Sequence, residues 1–162
     1  MSVLLTGGAG YIGSHTALAL LETGLEVVVV DDLSNGFSWL VPPGARPYVA
    51  DYGNEQFIAK LISEHRVDTI FHFAGSTVVP ASIADPLSYY LNNTVKSRAL
   101  IAAAIAQNVA YFVFSSTAAV YGESSASPIS EGAPLVPLSP YGSSKLMTEI
   151  MVRDASRAYG IR

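Results

Sequence analysis

Short apolar runs alternate along this chain with longer segments in which apolar residues recur every three or four positions. Runs of the first kind predict buried strands, and segments of the second kind predict amphipathic helices. Five strands are predicted, at Val3–Thr6, Glu26–Asp31, Pro47–Ala50, Thr69–Phe73 and Tyr111–Ser115. Because strands and helices alternate, the pattern predicts an α/β fold, a doubly wound parallel sheet with helices on both faces.

Helices are predicted between these strands and after the last of them, at Ile12–Thr23, Asn54–His65, Pro86–Gln107 and Tyr141–Tyr159. Gly24 follows the first helix, where a helix C-terminus favours glycine. The segment from Leu33 to Pro47 carries turn signals and is predicted to be a loop. No strand pattern follows the last helix, so the chain is expected to stop before its next strand.

The composition indicates a single domain and argues against several classes of binding partner. The 162 residues fit one domain, in which 50% hydrophobic and 14% charged residues suit a sheet buried on both faces. A net charge of −4 without a Lys/Arg cluster argues against a nucleic-acid partner. No apolar run is long enough to span a membrane, and the N-terminus lacks a basic leader segment. Without cysteine or metal-site spacing, the chain is predicted to be cytoplasmic and to bind no metal.

The glycine-rich stretch Thr6–Gly13 follows the first strand and leads into the first helix. In such a turn one glycine bends the chain, one lets the backbone approach a pyrophosphate, and one lets helix and strand pack closely. The helix N-terminus then offers free N–H groups to the phosphates. The spacing G-x-x-G-x-x-G differs from the G-x-G-x-x-G fingerprint, and a tight turn without a ligand is the alternative. A dinucleotide is predicted to contact Gly7, Gly10, Tyr11, Ile12 and Gly13.

An acidic pair stands at the end of the second strand. Asp31 lies 18 residues after Gly13, where a carboxylate can accept hydrogen bonds from both ribose hydroxyls of adenosine and repel a 2′-phosphate. This position predicts NAD rather than NADP as the cofactor, with Asp31 favoured over Asp32. The alternative is that Asp31 caps the turn that follows it.

Three further groups are predicted at the same carboxyl edge of the sheet. Asp51 follows the third strand and could reach the adenine amino group, with a turn-capping role as the alternative. The small residues of Phe73-Ala74-Gly75 would let the backbone pass close to a dinucleotide, or simply end the fourth strand. Asn92 is a candidate to bind a bridging water or the nicotinamide ribose region.

The predicted chemistry lies at the fifth strand and the last helix. Ser115-Ser116-Thr117 ends the strand, and Tyr141 and Lys145 lie four residues apart on the helix, so that they share a face. A nearby ammonium favours the phenolate, which makes Tyr141 a general base, and Thr117 can bond the same substrate oxygen. Tyr-x-x-x-Lys also occurs by chance on solvated helices. The hydroxyl cluster and the dinucleotide loop favour the catalytic interpretation.

Together these motifs resemble the extended short-chain dehydrogenase/reductases, a family with a Rossmann-type fold, and within it most closely the UDP-glucose 4-epimerases. The resemblance rests on the glycine loop, Asp31–Asn35, Phe73–Gly75, Pro86–Asn93, Ser115–Gly122 and the Tyr141/Lys145 pair. It implies a permanently held NAD. It also implies an NAD-binding domain over residues 1–162 that is truncated before the substrate domain, since family members are about twice as long. Further cofactor contacts are implied through Leu33, Ser34, Asn35, Tyr52 and Ser115.

The implied reaction is the interconversion of UDP-glucose and UDP-galactose. NAD⁺ would take the hydride from C4 of the UDP-hexose while Tyr141 takes the hydroxyl proton, with Thr117 also contacting the substrate and Lys145 the nicotinamide ribose. The 4-keto sugar would then rotate and receive the hydride on its other face. Thr77 is a departure, since epimerases often have Lys there. The resemblance further implies a homodimer for a full-length protein, and little activity for the 162 residues alone.

Three alternatives remain open. A 4,6-dehydratase or a decarboxylase of the family needs an acid or a base directly after the threonine, where this chain has Ala118-Ala119. An epimerase of UDP-pentoses or N-acetylhexosamines is not distinguished, because the pocket wall opposite Tyr141 would lie beyond Arg162. A non-catalytic, redox-sensing NAD-binding module would have no need of the catalytic residues.

Overall fold

The computed structural model describes residues 2–123 and 127–162, which form a single parallel sheet covered by helices. Its five strands are β1 (Ser2–Thr6), β2 (Glu26–Asp31), β3 (Arg46–Val49), β4 (Val67–His72) and β5 (Tyr111–Phe114). They lie in the order β3-β2-β1-β4-β5. The chain order reverses at β1, and in such sheets ligands bind outside the carboxyl ends of the strands at this point. The predicted doubly wound α/β fold is confirmed.

The helices lie close to their predicted positions. They are α1 (Tyr11–Glu22), α2 (Glu55–His65), α3 (Val79–Ala84), α4 (Pro86–Tyr89), α5 (Lys96–Ala106) and α6 (Pro140–Tyr159), with 3₁₀ turns at Ser38–Leu40 and Ala118–Tyr121. Local capping explains two of the boundaries. Asn54 accepts a 3.1 Å hydrogen bond from Phe57 N at the start of α2, and Gly24 takes a φ of +81° after α1. Within the two described ranges, no helix is both long enough and apolar enough to cross a membrane.

The four valines of β2 show how the sheet is buried on both faces. Val27 and Val29 pack beside Ala17 on the side covered by α1. Val28 and Val30 belong to the larger core on the opposite side, to which α2, α5 and α6 contribute. Successive residues of a strand face opposite sides, so a strand between two helical layers must be apolar at every position. Each of the four is at most 1% exposed, as the unbroken valine run predicts.

The single helix predicted from Pro86 to Gln107 is wrong in its interior. The segment Tyr90–Val95 is a π-turn that joins α4 to α5, and the preceding α3 was not predicted. A π-turn holds one extra residue and loosens the backbone ladder, which frees carbonyls for other donors. Here Tyr52 Oη donates to the carbonyl of Asn92, and Ser97 Oγ donates to that of Asn93 over 2.6 Å. Contacts with other elements therefore stabilise the turn.

Among the described residues no strand follows α6, as predicted, although Arg162 pairs with the free edge of β5. The N–H of Arg162 donates to the carbonyl of Ala110 over 3.0 Å. The carbonyl of Arg162 accepts from the N–H of Phe112 over 2.8 Å. These two bonds follow the pattern of a parallel ladder. The guanidinium also lies 4.5 Å from the centre of the Tyr111 ring. Arg162 thus forms strand-like hydrogen bonds, although the sequence around it has no strand pattern.

Candidate functional site

A cavity of about 690 Å³ opens at the carboxyl ends of the strands. Its volume is in the range of small-molecule and cofactor sites. Most of the predicted cofactor-binding and catalytic residues line it: Gly7, Gly10, Tyr11, Ile12, Gly13, Asp31, Asp32, Ser34, Asn35, Tyr52, Phe73, Ala74, Gly75, Asn92, Ser115, Tyr141 and Lys145. Four lining residues were not predicted: Gly36, Ser76, Thr77 and Ser116. Three predicted residues are not among the lining: Leu33, Asp51 and Thr117.

The glycine loop is shaped by close backbone contacts. Gly7 has a φ of +73°, and a Cβ at this position would lie 2.6 Å from Ala74 N. A Cβ on Gly13 would lie 2.2 Å from the carbonyl oxygen of Gly7. Gly10 is the N-cap of α1 and contributes no capping side chain, so the first N–H groups of the helix stay free for an anion. The loop therefore has the build of a phosphate-binding turn.

Asp31 is fixed at the end of β2 by two backbone donors. Its Oδ2 accepts from Ala9 N over 3.0 Å and its Oδ1 from Leu33 N over 2.9 Å. Each carboxylate oxygen keeps a second lone pair for a ligand hydroxyl. Leu33 thus supports Asp31 through its backbone, while its own side chain is not part of the cavity wall.

Asp32 stands beside Asp31 and faces the same cavity. Burial raises the pKa of Asp32, but hydrogen bonds from the hydroxyl and N–H of Ser34 and the charge of Lys96 outweigh it, so the pKa lies below its usual value. Two ionised carboxylates at one end of the cavity disfavour a ligand that carries a further negative charge there.

Asp51 lies outside the cavity wall and is engaged by protein groups. Its Oδ2 lies 2.8 Å from Lys96 Nζ, and its Oδ1 accepts from Gly53 N over 2.8 Å. The next residue, Tyr52, does line the cavity, so Asp51 stands at its rim. Its predicted contact with adenine stays a prediction.

Helix α6 brings Tyr141 and Lys145 to the opposite end of the cavity. Ser139 caps the helix by accepting from Gly142 N over 3.2 Å, which starts α6 just before Tyr141. The ammonium of Lys145 donates to the carbonyl of Ser115 over 3.1 Å and lies 4.8 Å from the centre of the Phe114 ring. Burial lowers the pKa of Lys145 to about 8. A cation that titrates near neutrality therefore lies one helical turn from a buried phenol.

Thr117, which is predicted to bond the substrate oxygen, lies three residues after the end of β5. It caps the 3₁₀ turn Ala118–Tyr121, its Oγ1 accepting from Ala119 N over 3.2 Å. The hydroxyl lies at the end of β5, near but not in the described cavity wall. Its role toward a substrate stays a prediction.

Asn93 is a buried residue beside the cavity that was also not predicted. It is 2% exposed, and its amide group bonds Ser76 on both sides, accepting from its N–H over 2.7 Å and donating to its carbonyl over 2.9 Å. It also donates to Ser144 Oγ over 3.0 Å, so it ties the loop after β4 to α6. A signal was present, because Asn is a poor residue for a helix interior and two stand together here.

A buried histidine extends this network toward the glycine loop. His72 is fully buried, with Nδ1 2.6 Å from Thr6 Oγ1 and Nε2 2.8 Å from Ser97 Oγ. Because the Ser97 hydroxyl donates to the carbonyl of Asn93, it must accept from Nε2–H of His72. Nδ1 is then the acceptor for the Thr6 hydroxyl, and the ring is neutral. Burial, with a smaller effect from the charge of Lys145, lowers the pKa of His72 to about 3.

The buried neutral His72 makes stability depend on acid. Below the unfolded pKa of 6.5 the unfolded chain binds a proton that the folded chain does not, so stability falls as pH drops toward 3. Between pH 7 and pH 5 we expect a loss of about 2 kcal/mol in the free energy of unfolding. Urea unfolding at the two pH values measures it. His72→Gln should reduce the loss and the exposed-site control His15→Gln should keep it; an undiminished loss in His72→Gln would contradict the assignment.

The chain is similar to known proteins along its whole length. The model of the NAD dependent epimerase/dehydratase family matches residues 3–162. A UDP-glucose 4-epimerase of Azospirillum brasilense is 50% identical over 160 residues, which are 99% of this chain and 46% of that protein.

Solved structures share the fold at similar coverage. The UDP-glucose 4-epimerase of Brucella ovis in complex with NAD has a TM-score of 0.96 at 37% identity, covering 99% of this chain and 49% of that one. The enzyme of Thermotoga maritima with UDP-glucose has a TM-score of 0.95 at 36% identity, covering 99% and 53%. The chain thus spans about half the length of the relatives it matches.

Proposed function

Because the chain belongs to the NAD dependent epimerase/dehydratase family, we propose that its 162 residues form the NAD-binding domain of a UDP-glucose 4-epimerase. In that proposal the whole protein interconverts UDP-glucose and UDP-galactose through a 4-keto intermediate. Support comes from relatives of that name at 41–50% identity over the whole chain. NAD, when bound, supplies the chemistry of removing and returning a hydride at C4 of the hexose.

One observation carries the proposal: a glycine loop with the build of a phosphate-binding turn and a Tyr/Lys pair line the same cavity. The loop and Asp31 would hold the diphosphate and the adenosine ribose, and the nicotinamide would then reach the end where Tyr141 and Lys145 lie. Asp31 ends β2, whereas Lys145 bonds the carbonyl that follows β5, three strands away in the sheet, so the two groups would meet different ends of a dinucleotide. A cavity with only one of the two groups would not support the same reaction.

The protein's own part in the reaction is to move a proton and stabilise charge. Tyr141 would take the proton of the C4 hydroxyl as the hydride leaves and return it at the end, with Thr117 bonding the same oxygen. Lys145 would stabilise the phenolate and contact the nicotinamide ribose. The carbonyl of Ser115 holds the Lys145 ammonium in place over 3.1 Å. Each step therefore uses a group at one end of the cavity.

The residues after Thr117 distinguish an epimerase from other enzymes of the family. Ala118 and Ala119 form the following 3₁₀ turn and cannot transfer a proton, which disfavours a 4,6-dehydratase or a decarboxylase. The redox-sensing module is disfavoured because a sensor does not need buried Tyr141 and Lys145. Thr77, where epimerases often have Lys, lines the cavity.

The proposal includes a homodimer and a cytoplasmic place of action. Apolar side chains on α4, the π-turn and α6 are exposed and would form the dimer seam that such families use. They include Leu87, Leu91, Val95, Met147 and Ile150. Burying that stripe against a second copy would remove apolar surface from water.

NAD is expected to bind at least about 100-fold more tightly than NADP. The fixed carboxylate of Asp31 accepts from the ribose hydroxyls but repels a 2′-phosphate. Calorimetric titration of the 162-residue chain with each dinucleotide measures the ratio. Asp31→Asn should reduce the preference, and the surface variant Glu22→Gln should leave it unchanged. Equal affinities for the two cofactors, or no binding of either, would refute the proposed cofactor.

A further inference from the structure

Lys96, the first residue of α5, forms an ion pair for which the proposed reaction gives no role. Its Nζ lies 2.8 Å from Asp51 Oδ2, and the two side chains are 24% and 47% exposed. The other ion pairs between described residues join side chains that are each at least half exposed. Exposed pairs contribute little to stability. The short, partly buried pair at Lys96 therefore points to a role in positioning.

The aliphatic part of the Lys96 side chain is also closely packed, against the turn that contains Gly53. A Cβ on Gly53 would lie 2.6 Å from Lys96 Cγ, so the turn after Asp51 rests directly on the lysine chain. The ammonium lies 5.8 Å from the centre of the Tyr52 ring, and Tyr52 Oη donates to the carbonyl of Asn92. Asn92 and Lys96 are four residues apart, on one face of the π-turn and the start of α5. Residues 51–53 therefore contact this face through the ion pair of Asp51, the hydroxyl of Tyr52 and the packing of Gly53.

Asp51 stands one strand further out than Asp31. Strands β2 and β3 are neighbours, and Ala50 N donates to the carbonyl of Asp31 over 3.2 Å. If Asp31 holds the ribose of adenosine, the base extends past it toward the end of β3, where Asp51 lies. Both Asp51 oxygens are already fixed, one by Gly53 N and one by Lys96, and each keeps a free lone pair.

We propose that Lys96 positions Asp51 to accept a hydrogen bond from the amino group of adenine, so that the pair selects an adenine dinucleotide. The inference rests on the NAD-binding function proposed above. Asp31, Asp32 and Asp51 bring three carboxylates to one end of the site, and like charges repel. Without a cation the half-exposed Asp51 side chain would turn to solvent. Lys96 offsets that charge and holds one oxygen, while Gly53 N–H holds the other.

The test compares NAD with nicotinamide hypoxanthine dinucleotide, in which a carbonyl oxygen replaces the adenine amino group. Dissociation constants of both are measured for the 162-residue chain and its variants by calorimetry. The wild type should bind NAD about tenfold more tightly than the analogue, the effect of one hydrogen bond to a charged group. In Lys96→Met this ratio should fall to about two. Lys96→Arg should restore it, because a guanidinium also pairs with a carboxylate.

Two further comparisons separate positioning from a purely structural effect. Asp51→Ala should bring the ratio close to one, and adding Lys96→Met to it should change nothing more, because the two residues act as a unit. The matched control is Lys60→Met, which removes an exposed lysine paired with Glu64 one helical turn away. It should leave both dissociation constants unchanged.

The outcomes are distinct. If Lys96→Met weakens both dinucleotides by the same factor and keeps the ratio, the lysine only stabilises the fold and the proposal is overturned. An unchanged ratio in Asp51→Ala overturns it as well. If the wild type binds NAD and only the ratios fail to respond, the proposed function survives alone. If the wild type binds neither dinucleotide, the proposed function falls and this inference with it.

Discussion

Replacing Tyr141 by Phe should lower epimerase turnover about 1,000-fold while leaving NAD affinity within about twofold. The exchange removes one hydroxyl from a 9% exposed ring that lines the cavity, so the shape of the site stays the same. What is lost is the group that we propose takes the C4 hydroxyl proton. The measurement is UDP-hexose turnover in a protein of full family length that contains these 162 residues, with NAD binding titrated in parallel.

The control for this exchange is Tyr159→Phe, on the same helix but 67% exposed, which should not change turnover. A pH profile gives an independent check. Because burial lowers the pKa of Lys145 to about 8, the stabilising cation loses its proton above that pH, and wild-type turnover should fall as pH rises through it. Turnover that survives in the Phe variant would show that Tyr141 is not the base.

Replacing Gly13 by Ala should weaken NAD binding at least about 100-fold and destabilise the fold by about 2 kcal/mol. A Cβ at Gly13 would lie 2.2 Å from the carbonyl oxygen of Gly7 and 2.7 Å from Gly8 Cα. Both neighbours are backbone atoms of the glycine loop, so no side chain can move aside. The first turn of α1 must shift away from the loop. NAD titration and urea unfolding measure the two effects.

Two other glycines provide matched controls. Gly132→Ala meets no atom within 4 Å and should change neither quantity. Gly24→Ala also meets none, but its φ of +81° is strained for alanine, so it should cost about 1 kcal/mol of stability without affecting NAD. NAD affinity that is intact in Gly13→Ala would mean that the loop does not hold the diphosphate.

The sequence predicted those parts of the molecule that local pattern determines. The valine run of β2 had to be a strand with helices on both faces, because no other setting buries every position. The glycines between β1 and α1 had to form a tight turn, because backbone atoms approach there more closely than any side chain allows. The position of Asp31 at the cavity could be predicted because it is the last residue of that strand. The distribution of these residues around one cavity then followed from the parallel topology.

The missed features depend on contacts between distant residues. The π-turn is stabilised by the Tyr52 hydroxyl, which donates to the carbonyl of Asn92, and by Thr148 Oγ1, which donates to the carbonyl of Asn93 over 3.0 Å. Helix propensity alone predicts an uninterrupted helix there. The ion pair of Lys96 is equally non-local, because its partner Asp51 lies 45 positions away in the sequence. The capping bond that Thr117 accepts from Ala119 N also could not be read from the sequence.

The π-turn joins α4 and α5 so that the same face of the two helices points in different directions around the common axis. A helix advances about 100° per residue, so the extra residue in Tyr90–Val95 rotates α4 against α5. Leu100 and Ala104 can therefore point into the core while Asn92 points into the cavity. Removing one residue from the turn would restore a continuous α-helix and swing one section about a quarter of a revolution around the axis.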